Sequence, residues 1–262
     1  MSKKELWNIA LTLVRDQVGD KKTDGILSMM LQLTAKYQTL LKIYERFCIS
    51  AQNRWRYPQV IGWIEEQPDM QAALNHFDIE LNRGWSQERF YHVLTTNTKR
   101  GRTANLSSSR NLWKQFAGSL ADITGFLAPY ADSSGSAKRF RQFVTDRALT
   151  KECAWELAAE VSNSIRGMGA TLVCDTLKEI GFTQYSKPDL HIKRLFTQLG
   201  YSRSDDDRDV FYALWDFSTE VGVCPSQADK IFWLIGSGNY YMFKERHPPQ
   251  MNNLLESAAR PR

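Results

Sequence analysis

Apolar residues recur at three- and four-residue spacing along most of the chain, and strict alternation is rare, so the pattern predicts helices almost throughout. Ser2-Lys3-Lys4-Glu5 has the form of a capping box ahead of a first helix. After Gly25 the positions Ile26, Leu27, Met30, Leu33, Tyr37, Leu40, Leu41, Tyr44 and Phe47 predict one long helix ending near Asn53. Pro58 and Pro68 bracket a short helix over 60–65. From Asp69 a further helix would bury Met70, Ala73, Leu74, Phe77 and Leu81 and stop at Asn82-Arg83-Gly84. Ser86 is a cap for the segment carrying Phe90, Tyr91, Val93 and Leu94, and residues 112–127 again read as helix. Thr150 can cap a helix through Trp155, Leu157, Ala158 and Val161, and Pro225 sits just inside the start of a last helix ending at Gly236.

Composition adds limits. A chain of 262 residues with 42% hydrophobic content can build a real core as one large domain or two smaller ones. No run of ~18 apolar residues suggests a membrane span. The first twenty residues alternate charge with a helix-like apolar face, unlike a secretory signal, so a cytoplasmic protein is expected. The four cysteines and four histidines have no close ligand spacing, so no metal site is expected. Asp205-Asp206-Asp207 reads as a helix N-terminal cluster, since successive helix positions point in different directions.

The net charge of +5 is compatible with nucleic acid and proves nothing by itself. Two basic clusters stand out. Lys99, Arg100 and Arg102 surround Gly101, and Lys138, Arg139 and Arg141 follow a loop at 131–136. Each reads as a solvated face unless a motif gives it a partner.

The chemistry concentrates between Ser164 and Gly200. Gly167-Met168-Gly169 is a glycine-pinched turn between two helical segments, with amides at the start of the second helix where a phosphate could bind. Asp189 follows Pro188 and opens an apolar-periodic run through Leu190, Ile192, Leu195, Phe196 and Leu199. Taken alone, the glycines read as a tight turn and Asp189 as an N-cap.

Together they resemble the helix-hairpin-helix DNA glycosylase superfamily. Its hairpin of form (L/I)-P-G-x-G is matched by Ile165-Arg166-Gly167-Met168-Gly169. Its V-D-x-H-(I/V)-x-R phrase is matched by Pro188-Asp189-Leu190-His191-Ile192-Lys193-Arg194. The hairpin-to-aspartate spacing is similar to that of endonuclease III, and Lys230–Gly236 is similar to the family's late helix. The resemblance does not extend to the first 150 residues beyond their helical character.

The resemblance implies an all-α helix-hairpin-helix DNA glycosylase fold, with two helical subdomains flanking an active-site cleft. On that basis residues 1–50 would pack with the C-terminal part. Residues 51–183 would form a helical subdomain ending in the hairpin unit (about 155–181), and 184–262 would carry the catalytic Asp189. Arg166, Gly167, Met168, Gly169 and Thr171 would bind DNA phosphate. Gln52, in a tripeptide similar to a family loop that fills the gap left by a flipped base, and Lys99, Arg100 and Arg102 would be further DNA contacts.

Departures from the family pattern carry their own implications. Bifunctional members place a Schiff-base lysine where this chain has Thr171, so a monofunctional enzyme is implied. The hairpin proline is Arg166, which would add a phosphate contact. The four-cysteine iron–sulfur loop is missing, so no cofactor is expected, although the hairpin could take a monovalent cation. The implied partner is double-stranded DNA acted on by a monomer, with no membrane.

In the implied mechanism the target base leaves the stack for a pocket lined by some of the eight tryptophans and ten tyrosines. Glycosidic cleavage puts positive charge on the sugar, which a fixed carboxylate stabilises while it orients or deprotonates water. His191 and Arg194 would face the core or lie behind the site. Alkylated, deaminated or mismatched bases are the broad substrate expectation. Glucosylated hydroxymethylcytosine of phage DNA, excised in antiviral defence, is a narrower one. A non-catalytic helix-hairpin-helix DNA-binding protein is the alternative class.

Overall fold

The computed structural model describes residues 1–53, 57–101 and 111–259. Its helices in chain order are α1 (Lys3–Val18), α2 (Asp20–Lys36), α3 (Leu40–Gln52), α4 (Tyr57–Val60), α5 (Pro68–Ala73), α6 (Ile79–Asn82), α7 (Gln87–Asn97) and α8 (Leu112–Leu127). They continue as α9 (Lys138–Arg147), α10 (Lys151–Ser164), α11 (Ala170–Glu179), α12 (Leu190–Gln198), α13 (Asp207–Val221), α14 (Pro225–Ser237) and α15 (Met251–Ala259). Strands β1 (Asn239–Tyr240) and β2 (Glu245–Arg246) pair antiparallel in a short ribbon. The all-α expectation holds, and no helix among the described residues is long and apolar enough to cross a membrane.

The chain divides into two compact units. One comprises residues 1–33, 150–155 and 177–262, and the other residues 34–149 and 156–176. In the first, Leu6, Trp7, Ala10 and Val14 of α1 are buried with Ile192 and Phe196 of α12, Leu214 and Phe217 of α13, and Ile231 and Phe232 of α14. The N-terminal helix α1 therefore packs with α12, α13 and α14, whereas residues 34–50, grouped with it in the sequence-based division, belong to the second unit. Trp7, Phe196 and Phe217 all set their rings edge-on to Phe232, at centroid distances of 6.0, 5.8 and 5.3 Å. Edge-to-face geometry lets the positive ring rim meet the negative face. In the second unit Phe47, Phe116, Phe140, Leu120 and Ile123 are fully buried, and Phe47 and Phe126 pack against Phe140.

Several boundaries differ from the pattern-based expectation. The long helix expected up to Asn53 is two helices. Thr39 caps α3 by accepting from the Lys42 amide, and the backbone at the break pairs instead with the 135–137 loop through Leu40 N–H to Gly135 O and Ala137 N–H to Gln38 O. The apolar spacing continues across the break, so periodicity could not reveal it. The helix expected from Asp69 is likewise broken, because Asn75, His76 and Phe77 all have positive φ. Asn82 accepts from the Asn75 side chain and donates to Leu74 O, holding this rare backbone in place. The chain also does not end its helices at Gly236, since α15 follows β2 and buries Met251 and Leu254.

The cap expectations fare better. Ser2 and Glu5 form the reciprocal capping box, Ser86 accepts from Arg89, and Asp206 caps α13 by accepting from Arg208. No group of three metal-ligating side chains occurs among the described residues.

Gly238 ends α14 with φ 64°, and a Cβ there would lie 2.0 Å from His247 O. That carbonyl belongs to backbone held by His247 N–H donating to Gly238 O at 2.8 Å, so it cannot simply rotate away. Gly238→Ala is expected to cost on the order of 2 kcal/mol or more. Urea unfolding measures it, and a change below 0.5 kcal/mol, taken as about the surface-mutation range, would contradict the packing described.

Candidate active site

The hairpin lies in the second unit. Met168 N–H closes a turn on Ile165 O at 3.2 Å, and Gly167 adopts φ 79°, which a Cβ would strain. Ile165 and Met168 point their side chains into the core, so Met168 can offer DNA only its backbone. Gly169 opens α11, with its carbonyl accepting from Leu172 and Val173. A Cβ on Gly169 would meet nothing within 4 Å, so its outer face is open space. The Gly169 and Ala170 amides have no protein acceptor among the described residues. An open face with unused amides at a helix N-terminus suits an oxyanion. Thr171, half-buried, stands in the first turn of α11.

Arg166 does something the sequence did not suggest. Its Nε and Nη2 donate to Oδ2 and Oδ1 of Asp122 at 2.6 and 2.9 Å, and its backbone amide also donates to Asp122 Oδ2 at 2.9 Å. Nη1 donates to Gln87 Oε1, and Ser119 Oγ donates to the Arg166 carbonyl at 2.6 Å. Gly118 leaves room for this fork, since a Cβ there would come within 3.2 Å of the guanidinium carbon. The Asp122 hydrogen bonds raise the Arg166 pKa above its ordinary value. The expected phosphate contact thus has a carboxylate already in its place. In this structure Arg166 ties the hairpin to α8 through a planar bidentate pair.

Asp189 lies in the first unit, at the end of the loop from Gly181. Its Oδ1 accepts from the amides of His191 and Ile192 at 3.0 and 3.2 Å, so it is the N-cap of α12. Its Oδ2 has no hydrogen-bond partner among the described residues, and the residue is only half-buried. One oxygen therefore fixes the group, and the other is left to act on something else. His191 packs against the helix α14, where a Cβ on Gly236 would come within 2.6 Å of the imidazole. Arg194 donates to Asn252 Oδ1 at 2.8 Å. Both line a concavity of about 290 Å³ with Leu190, Pro249 and Met251, so of the two expected places, the core or behind the site, neither side chain takes the core.

Sequence reasoning missed a buried ion pair behind this loop. Lys178, at the end of α11, places Nζ 2.7 Å from Asp229 Oδ2 on α14, and both are almost completely buried. The same oxygen accepts from the Lys187 amide at 3.0 Å. Burial raises the Asp229 pKa, Lys178 opposes the rise, and the Asp189 charge adds to it, so the two carboxylates feel one another. A lone acid inside the apolar run of α14 was the available signal.

The remaining expected DNA contacts fall as follows. Gln52 is fully buried, with Nε2 donating to Gly62 O and Oε1 accepting from Ile64 N–H, both at 2.9 Å. It staples α3 to the 62–64 turn and has no side-chain surface to offer a DNA strand in this conformation. Lys99 and Arg100 are exposed beyond the end of α7, and the Lys99 amide donates to Asp69 Oδ2. Arg102 lies outside the described residues. Arg166, Gly167, Met168, Gly169 and Thr171 belong to one unit and Asp189 to the other.

No protein-family model and no curated protein matches the chain. Among solved structures it is similar to the Methanocaldococcus jannaschii 8-oxoguanine glycosylase/lyase in complex with a 15mer DNA containing 8-oxoguanine. The TM-score is 0.52 at 14% identity, over 88% of this chain and 96% of that one. The chain therefore shares the fold of that glycosylase/lyase, in agreement with the fold implied by the resemblance of the hairpin and the D-x-H-I-x-R phrase.

The Asp229 carboxyl has a folded pKa above its unfolded value of about 4. Its contribution to stability is fully present below the unfolded value and is lost as pH rises through the folded one. At neutral pH the ionised group depends on Lys178. Lys178→Met should thus cost about 3–5 kcal/mol at pH 7. Relative to wild type at each pH, part of that loss should be recovered near pH 5, as Asp229 takes up a proton. Urea unfolding of both proteins at the two pH values measures this, and a deficit independent of pH would count against a buried ion pair.

Proposed function

We propose that this protein is a monofunctional DNA glycosylase that flips a modified base out of duplex DNA and hydrolyses its N-glycosidic bond, leaving an abasic site. The observation that carries the reading is Asp189, with Oδ1 fixed by two amides and Oδ2 without a hydrogen-bond partner among the described residues, in a fold shared with a glycosylase/lyase. Oδ2 faces the positive charge that develops on the deoxyribose and orients or deprotonates the attacking water. The capped Oδ1 limits rotation of the carboxylate, so little reorganisation is needed when that charge appears. The Gly169 and Ala170 amides bind a backbone phosphate, which sets the register of the duplex without reading its sequence.

The solved neighbour is named a glycosylase/lyase. Lyase chemistry through a Schiff base needs an amine, and Thr171 offers a hydroxyl at the position where the family's bifunctional members carry lysine. The product here is consequently an intact strand with an abasic site, cut only on added alkali.

Purified protein assayed on duplexes bearing oxidised, deaminated or alkylated bases, and on phage DNA with glucosylated hydroxymethylcytosine, assigns the substrate. Release of the glucosylated base favours antiviral defence, and release of a damaged base favours repair. Asp189→Asn should lower single-turnover excision by at least 100-fold, taken as the general acid–base range, with little change in DNA affinity. Wild-type rates in that variant would remove Asp189 from the chemistry. Salt-dependent DNA binding with no excision of any base would instead indicate a binding protein. Strand cleavage without alkali would contradict the monofunctional reading.

A further inference from the structure

We infer that Lys178 and Asp229 are positioning residues for Asp189, acting through the backbone amide of Lys187; this rests on the proposed catalytic role of Asp189. Asp229 Oδ2 is the junction. It takes the Lys178 ammonium at 2.7 Å and the Lys187 N–H at 3.0 Å, from a side chain that is 1% exposed. Two residues later the chain reaches Asp189, whose amide donates to Lys187 O at 2.8 Å. The buried Pro188 between them has a fixed φ, so the Lys187 peptide and the start of α12 move together. The other end of the loop is held differently. Gly181, with φ 98°, ends α11, and Thr183 O accepts from Ser226 N–H at the start of α14.

The loop carrying Asp189 is therefore registered against α14 at Ser226 and at Asp229, while Gly236 packs on His191 further along the same helix. Of these ties only Asp229 reaches within two residues of Asp189 on the N-terminal side. Lys178 compensates the charge that makes Asp229 a strong acceptor. A hydrogen bond to a charged acceptor is about twice as strong as a neutral one, which suits a contact that must hold a backbone rather than a side chain. Asp229 touches neither water nor DNA in this reading, because it is enclosed.

Removing one partner alone would leave a buried charge, so the test replaces both. Lys178→Gln with Asp229→Asn keeps a neutral acceptor for the Lys187 amide. Lys178→Met with Asp229→Leu fills the space with apolar groups and leaves no acceptor. The apolar pair should excise base at least about tenfold more slowly than the polar pair in single turnover, with DNA dissociation constants and melting temperatures alike. Equal rates for the two pairs would overturn the inference, since a merely structural ion pair is replaced equally well by either. Amide hydrogen exchange of the wild type reads the contact without any variant. Lys187 N–H should exchange at least 100-fold more slowly than its free-peptide rate, a bound chosen from the spread between frayed and core amides. Exchange near the free rate would overturn the clamp even if neither double variant folds. If wild-type protein excises no base from any substrate, the glycosylase reading fails, whereas slow Lys187 exchange would still report the clamp.

Discussion

Two opposite charges buried together are costly to desolvate, and they are tolerated where geometry lets each meet the other and a further hydrogen bond. Lys178 and Asp229 meet that condition: the ammonium and the Lys187 amide converge on one carboxylate oxygen. The end of α11 and the loop that follows it to Asp189 are thereby joined to the distant helix α14. The carboxylate of Asp189 gains its orientation at the next step, when Oδ1 accepts the first amides of α12. Capping and chemistry are not competing readings of Asp189, because a carboxylate has two oxygens.

The hairpin is tied down by the same physics. A proline at the hairpin position would stiffen the turn covalently by fixing φ. This chain has Arg166 there, and stiffness comes instead from Asp122, which accepts from the guanidinium and from the backbone amide of the same residue. Gly118 on α8 supplies the space. The Arg166 charge is balanced by Asp122, and the Gly169 and Ala170 amides have no acceptor among the described residues. Each signature piece thus depends on an acid from a distant helix, Asp122 for the hairpin and Asp229 for the Asp189 loop.

Most helix starts could be read from local chemistry, because a cap is a contact within four residues. Ser2, Ser86 and Asp206 all cap where their sequence suggests. The breaks after Lys36 and Leu74 could not, because the partners that stabilise them are distant or rare. The first is held by the 135–137 loop, and the second by three residues at positive φ braced from Asn82. Gln52 shows the same limit at a single residue. A polar side chain in a tripeptide similar to a family loop invites a functional reading, yet both ends of its amide are taken by the 62–64 backbone.

What the sequence alone determined was the all-helical character, the caps, the glycine-pinched hairpin and the aspartate that follows it, since periodicity, capping and positive φ are local properties. The D-x-H-I-x-R phrase also pointed to the fold that the solved glycosylase/lyase shares. Tertiary structure decided how those pieces are held. It paired Arg166 with Asp122, withdrew Gln52 into the interior, and left one oxygen of Asp189 without a hydrogen-bond partner among the described residues. It also revealed Lys178 and Asp229 as the pair beneath the loop. Their separation along the chain is what hid them, because whether a charge is solvated or buried against its counter-ion depends on which helices meet, and no local pattern records that.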